Sequence, residues 1–344
     1  MTKIDIISGF LGAGKTTLIK KLLSEAFKGQ QVVLIENEFG EIGIDGGFLK
    51  EAGIQIREMN SGCICCSLVG DFGASLKEVI GTYHPDRIII EPSGVGKLSD
   101  VIRAVEDVKE DCDLELNSFT TVADVTKCKM YLRNFGEFFK NQLEYANTII
   151  LSRMDKASQE KTDKAVELIR EINRDASLIT TPITQLDGGK ILEVMEKRTQ
   201  SIEEMELPHE HGHHHEHEHH HDGECSCGHD HHYDGACSCG HDHHHEHGHH
   251  HADEVFTSWG RETARKFERT ELEKMLEMLG DGETFGMVLR AKGILEGTDG
   301  AWYYFDMVPG EAEIRTGEAD YTGRLCVIGS GLKEEELEKL FGLA

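Results

Sequence analysis

From Met1 to about Gln200 the apolar positions follow two alternating rhythms. The runs Ile4–Ser8, Gln31–Glu36, Ile54–Met59, Arg87–Glu91, Ser118–Val125 and Asn147–Ser152 are short and rich in β-branched residues, as buried strands are. Between them, Thr16–Ala26, Leu68–Thr82, Lys97–Lys109 and Thr162–Asn173 repeat their apolar residues at helical spacing. Strands and helices alternating at this interval predict βαβ units. The expected class is α/β, with a mainly parallel sheet covered on both faces.

The pattern collapses between about Ser201 and Asp253, a segment almost without aliphatic residues. Such a stretch cannot offset the entropy of ordering and is expected to be disordered when metal-free. Ordinary globular patterning returns at Val255. Strands are predicted at Val255–Trp259, Gly286–Ile294, Ala301–Met307, Ala312–Thr316 and Arg324–Ile328, and helices at Thr270–Leu279 and Lys333–Phe341. This reads as a small α+β domain, one sheet with both helices on one side. The expected organisation is therefore a domain over 1–200, a linker over 201–254 and a second domain over 255–344.

Charge narrows the function. A formal net charge of −27 over 344 residues argues against nucleic acid or an anionic membrane as partner, since both need a basic face. No apolar run reaches the length of a membrane span, and the opening Met1-Thr2-Lys3-Ile4-Asp5 is too short and acidic for a signal peptide. A cytoplasmic location is expected. There the ten cysteines would be reduced, and clusters of them read first as metal ligands.

One motif carries chemistry at once. Gly9-Phe10-Leu11-Gly12-Ala13-Gly14-Lys15-Thr16 matches G-x-x-x-x-G-K-[ST], after a predicted strand and before a predicted helix. The glycines let backbone amides turn in around phosphate oxygens. Lys15 supplies a point charge between the β- and γ-phosphates, and Thr16 a hydroxyl for Mg²⁺. Gly9, Gly12, Ala13, Gly14, Lys15, Thr16 and Thr17 are the candidate nucleotide contacts, and the first domain reads as a P-loop NTPase. Glu91 ends a strand where ligands bind in such sheets, placed to hold the water shell of Mg²⁺ or to position the attacking water. Asp124 is a similar, weaker candidate.

A second cluster is Gly62-Cys63-Ile64-Cys65-Cys66, between the strand at Ile54–Met59 and the following helix. Thiolates this close suit one soft or borderline ion, and a helix start lowers their pKa values. Two or three thiolates leave a tetrahedral site short. Glu36, Glu38 and Glu41 are the candidates to complete it.

In order, Gly-Phe-Leu-Gly-Ala-Gly-Lys-Thr-Thr, Glu36-Asn-Glu-Phe-Gly-Glu41 with Gly43-Ile44-Asp45, Gly-Cys-Ile-Cys-Cys and Glu91-Pro-Ser-Gly94 resemble the CobW-type metallochaperone GTPases, relatives of UreG and HypB. Trp302-Tyr-Tyr-Phe-Asp306 and Arg324-Leu-Cys-Val-Ile-Gly329 are similar to that family's C-terminal arrangement. The resemblance implies GTP as nucleotide and a switch segment at Glu36–Asp45. It also implies a transition metal bound by Cys63, Cys65 and Cys66, with Glu36 or Glu41. Zn²⁺ leads, with Co²⁺ and Ni²⁺ as the alternatives. The family's guanine-reading motif, Asn/Thr/Ser-Lys-x-Asp, is replaced here by Ser152-Arg153-Met154-Asp155. Asp155 can still accept from the guanine N1 and N2 donors, and the Arg153 stem can lie over the base.

Twenty of the 21 histidines lie in the linker, where Cys225-Ser-Cys227-Gly-His229-Asp-His-His232 recurs as Cys237-Ser-Cys239-Gly-His241-Asp-His-His244. Imidazole and thiolate at this density suit Zn²⁺, Ni²⁺, Co²⁺ or copper, and the segment reads as a capture, storage or hand-over tail. Cys225, Cys227, His229, Cys237, Cys239 and His241 are its candidate discrete sites. The leading expectation is a GTPase that passes a transition metal to a client metalloprotein or metal-cofactor enzyme, with a nucleotide- or metal-dependent dimer allowed for. Two alternatives stand beside it: a metal store with a regulatory nucleotide site, and a protein delivering cobalt to corrinoid assembly.

Overall fold

The computed structural model describes residues 1–36, 55–58, 69–109, 111–197 and 252–343. Outside them fall Glu38, Glu41, Cys63, Cys65, Cys66, the switch segment beyond Glu36, and every linker cysteine and histidine named above.

The first part of the chain runs β1 (Thr2–Gly9), α1 (Lys15–Glu25), β2 (Val32–Glu36), β3 (Gln55–Glu58), α2 (Val69–Tyr83), β4 (Arg87–Glu91) and α3 (Leu98–Lys109). It continues with β5 (Leu114–Asp124), α4 (Cys128–Asn134), α5 (Gly136–Glu144), β6 (Thr148–Ser152), α6 (Gln159–Ile172), β7 (Ser177–Ile179) and α7 (Gly188–Met195). The strands form a 7-stranded sheet in the order β3-β2-β4-β1-β5-β6-β7, with every pairing parallel.

Continuous apolar runs make this sheet possible, because consecutive side chains enter opposite cores. Ile4, Ile6, Val33, Ile35, Ile88, Ile90, Ile149 and Leu151 pack with α2 to α6. Their neighbours Ile7, Leu34, Ile89 and Ile150 pack with α1 and α7 on the other face. The strand expected at Ser118 begins at Leu114, because Leu114 and Leu116 are also buried. Helices α4, α5 and α7 and strand β7 were not expected from the periodicity. The first two are too short to show a clear period and are divided at Phe135, whose backbone (φ −137, ψ 37) is not helical.

The remaining elements are α8 (Ala252–Val255), β8 (Thr257–Thr263), α9 (Arg269–Met278), α10 (Gly282–Phe285), β9 (Met287–Glu296), β10 (Trp302–Val308), β11 (Glu311–Gly317), β12 (Gly323–Ser330) and α11 (Glu334–Phe341). Their 5-stranded sheet, β11-β10-β9-β12-β8, is antiparallel throughout. The run from Val255 to Trp259 divides between the end of α8 and the start of β8. Leu272, Leu276, Leu337 and Phe341 place α9 and α11 over one face of the sheet, as expected, in a core with Trp259, Leu295, Phe305 and Val327.

The other face is also covered. Leu289, Cys326 and Ile328 join the core of the first sheet beside Phe10, Tyr131, Phe135, Phe138 and Phe139. Phe256 inserts its ring 5.1 Å from Phe135 and 5.1 Å from Phe138. Both sheets thus belong to one compact unit. Among the described residues no helix is long and apolar enough to cross a membrane.

Candidate nucleotide site

Strand β1 lies at the centre of the parallel sheet, with β4 on one side and β5 on the other. Successive connections diverge around it, so a crevice opens beyond its C-terminal end, where ligands bind in such sheets. The glycine-rich loop occupies that point. Gly12 (φ 69) and Gly14 (φ 104) hold left-handed backbone angles that a Cβ would strain. Gly14 is the N-cap of α1 and, being glycine, has no side chain to cap the helix start. The first amides of α1 are therefore available to an anion, aided by the helix dipole.

Lys15 is 7% exposed. Its Nζ donates to the Gly9 carbonyl at 3.0 Å and lies 3.8 Å from Glu91 Oε1. Ala13 is buried, Thr16 half-buried and Thr17 exposed at the start of α1. Three carboxylates end strands along this edge: Glu36 on β2, Glu91 on the adjacent β4, and Asp124 on β5, which lies on the other side of β1. Glu36 and Glu91 stand directly opposite in register, and Glu36 is buried. Asp124 is buried too; its Oδ1 accepts from the Thr126 amide and hydroxyl, while its Oδ2 accepts no hydrogen bond among the described residues and faces Arg153 Nε at 3.6 Å. Oxygen donors of this kind, together with the Thr16 hydroxyl, are the chemistry that suits Mg²⁺, a hard cation that keeps much of its water shell.

Beside the cradle is a cavity of about 210 Å³, lined by Thr17, Leu18, Ser152, Arg153, Asp155 and Ile183 among others. Its walls are mostly apolar, with Asp155 as a carboxylate at the rim. Arg153 takes a left-handed backbone (φ 56) and donates from Nη2 to the Gly12 carbonyl at 3.4 Å, which ties the cavity to the phosphate loop. Lys127 sits close by: burial pushes its ammonium pKa down, partly opposed by Asp124. The segment Pro182-Ile183-Thr184 completes the wall. It was missed in the sequence because the strand before it, β7, has only three residues.

Cys128 has no part in this chemistry. Its thiol donates to the Asp124 carbonyl at 3.2 Å, and burial pushes its pKa up to about 12. Among the described residues no three His, Cys, Asp or Glu side chains group to hold a metal ion. The thiolate candidates lie outside those residues.

A parallel sheet with this cradle at its switch point defines a P-loop nucleotide-binding protein. Residues 3–180 match the nucleotide-binding domain of CobW/HypB/UreG, and residues 256–343 match the cobalamin synthesis protein cobW C-terminal domain. The chain belongs to the CobW/HypB/UreG family.

Among its relatives, the zinc chaperone YeiR of Escherichia coli (strain K12) is 29% identical over 188 residues, covering 55% of this chain and 57% of that protein. The zinc chaperone CobW of Sinorhizobium sp is 33% identical over 178 residues, covering 44% and 50%. The zinc-regulated GTPase metalloprotein activator 1 of Schizosaccharomyces pombe is 27% identical over 319 residues, covering 89% and 74%. The chain spans somewhat over half the length of the first of these relatives. The solved structure of Zn(II)-bound YjiA GTPase from E. coli covers 100% of this chain and 99% of its own at 22% identity, with a TM-score of 0.44.

Proposed function

We propose that this protein is a GTP-hydrolysing metallochaperone that binds a transition-metal ion, Zn²⁺ first, and passes it to a client. The observation that carries the reading is the pairing of Glu36 with Glu91 on adjacent strand ends. Glu91 faces the lysine of the phosphate cradle, and Glu36 opens the segment leading to Cys63, Cys65 and Cys66. One carboxylate serves each function, and the two stand on neighbouring strands. Relatives named zinc chaperones support zinc as the cargo.

In this mechanism the phosphate loop wraps the β-phosphate, and Lys15 leaves the Gly9 carbonyl and Glu91 to meet the β/γ oxygens. Glu91, released from Lys15, orients the attacking water. Thr16 and the carboxylates at the strand ends would hold Mg²⁺, which when bound neutralises charge on the phosphates. Asp155 accepts from the guanine N1 and N2 donors, while adenine offers it an acceptor at N1 and loses that bond. Ordering of the segment from Glu36 to Asp45 by the γ-phosphate would bring Glu36 or Glu41 to the three thiolates, and hydrolysis would release it. Cys225, Cys227, His229, Cys237, Cys239 and His241 would load or store the ion. The C-terminal domain would dock the client. The protein would work in the cytoplasm, where thiols such as Cys112 and Cys128 stay reduced.

Steady-state hydrolysis of GTP and ATP, with and without Zn²⁺, Ni²⁺ and Co²⁺, tests this reading on wild type and Cys65→Ala. GTP should be preferred, one ion should change the rate at least about fivefold, and Cys65→Ala should abolish that response. A rate indifferent to every ion would separate hydrolysis from metal handling and favour the storage alternative.

A further inference from the structure

The nucleotide site does not end with the parallel sheet. Strands β10 and β11 of the second sheet meet in the turn Val308-Pro309-Gly310-Glu311, where Val308 and Glu311 are paired in register and Gly310 has φ 85. Proline followed by a left-handed glycine makes a stiff two-residue turn. Its tip reaches the site at two places. Val308, buried, lies over Gly12 so closely that a Cβ there would come within 2.4 Å of its Cγ1. Glu311 forms an ion pair with Arg153 through Nη1 and takes Lys156 Nζ at 2.7 Å.

Arg153 and Lys156 are the two cations flanking Asp155 in sequence, and Glu311 engages both. Its grip has two consequences for base recognition. Charges that would otherwise be drawn to Asp155 are directed elsewhere, which leaves that carboxylate to the base. The Arg153 guanidinium is also fixed between Glu311, the Gly12 carbonyl and Asp124, with its stem at the wall of the cavity. This tether also holds a non-glycine residue in the left-handed region, which local backbone preference disfavours. Burial pushes the Glu311 carboxyl pKa up, but hydrogen bonds from Lys156 and Arg153 outweigh it and hold it below the usual carboxylate range.

We infer that Glu311 is a positioning residue for guanine recognition, supplied by the C-terminal domain to the base-reading loop of the first domain. The inference rests on the reading that the cavity takes guanine. It makes base affinity depend on docking of the β10–β11 turn. By linkage, a bound guanine nucleotide strengthens that docking by the same factor, so the C-terminal domain senses whether a guanine base is bound.

Equilibrium binding of fluorescent GDP and ADP, with Mg²⁺, to the full chain tests this on wild type, Glu311→Gln, Glu311→Asp and the control Glu313→Gln, an exposed position on the same strand. Glu311→Gln should weaken GDP by roughly three- to tenfold, the range of two partly exposed ion pairs, and leave ADP nearly unchanged. Glu311→Asp should recover most of the loss, and Glu313→Gln should match wild type. Equal weakening of GDP and ADP would reduce Glu311 to a domain latch and overturn the positioning role. Unchanged GDP affinity in Glu311→Gln, with wild type still preferring GDP, would overturn the inference and leave the guanine pocket standing. No GDP preference in wild type would remove both.

Discussion

Lys15→Ala should slow GTP hydrolysis by about 10²- to 10³-fold, the usual cost of removing one preorganised electrostatic group at a reacting centre. The structure gives a specific reason for so large an effect. Lys15 is 7% exposed and its ammonium is already held at the mouth of the cradle, between the Gly9 carbonyl and Glu91. Charge in a site so shielded from water acts at far lower dielectric than on the surface. Alanine is well suited to the first turn of α1, so the fold should survive and the loss should appear in kcat at saturating GTP. Single-turnover rates on wild type and variant measure it. A variant within about threefold of wild type would remove Lys15 from catalysis.

Asp5→Ala should destabilise the protein by about 3–5 kcal/mol, as expected when one partner of a buried ion pair is removed. Asp5 and Arg87 lie on β1 and β4 with side chains 1% and 3% exposed, joined in an ion pair. Asp5 Oδ1 also accepts from Asn117 Nδ2 at 2.8 Å and Ser118 Oγ at 2.5 Å. Arg87 reaches on to Glu196 at 2.8 Å and lies over the Phe27 ring at 4.6 Å, so one network ties β1, β4, β5 and the residue just after α7. Burial pulls the Arg87 guanidinium pKa down, yet Asp5 and Glu196 more than restore it. With Asp5 gone, Glu196 alone would face that charge. Urea denaturation of Asp5→Ala, Arg87→Met and the double variant measures the effect, and the double variant should lose less than the sum because no buried charge is stranded. A loss below about 1 kcal/mol in Asp5→Ala would show that the network contributes little.

The sequence made the parallel sheet readable because its strands are buried on both faces. A run such as Arg87-Ile-Ile-Ile-Glu91 cannot be mistaken for a surface element once a helix of clear period stands on either side. The phosphate cradle was readable for a different reason: its backbone geometry demands glycine at fixed places, and Gly12 and Gly14 hold the left-handed angles the motif implies. What periodicity does not carry is contact between distant segments. Nothing local to Val308 or Glu311 marks them as neighbours of Gly12 and Arg153, and a two-residue turn between strands looks the same wherever it points. Ile183 likewise enters the cavity beside the cradle only because three residues of β7 extend the sheet beyond β6. Arg153 was legible as a departure from a motif, but its left-handed backbone and its tether to the Gly12 carbonyl were not.

In the proposed mechanism the nucleotide sets the affinity for the metal. This coupling is tested most directly by Zn²⁺ affinity, measured by competition with a chromophoric chelator, in the presence of a non-hydrolysable GTP analogue and of GDP. Cys65→Ala serves as the blank for ions held by the histidine-rich segment. One site lost in Cys65→Ala should differ in affinity at least about tenfold between the two nucleotides, the scale of an ordinary coupling free energy. Equal affinities would rule out this coupling, since a nucleotide that binds both states alike can shift neither.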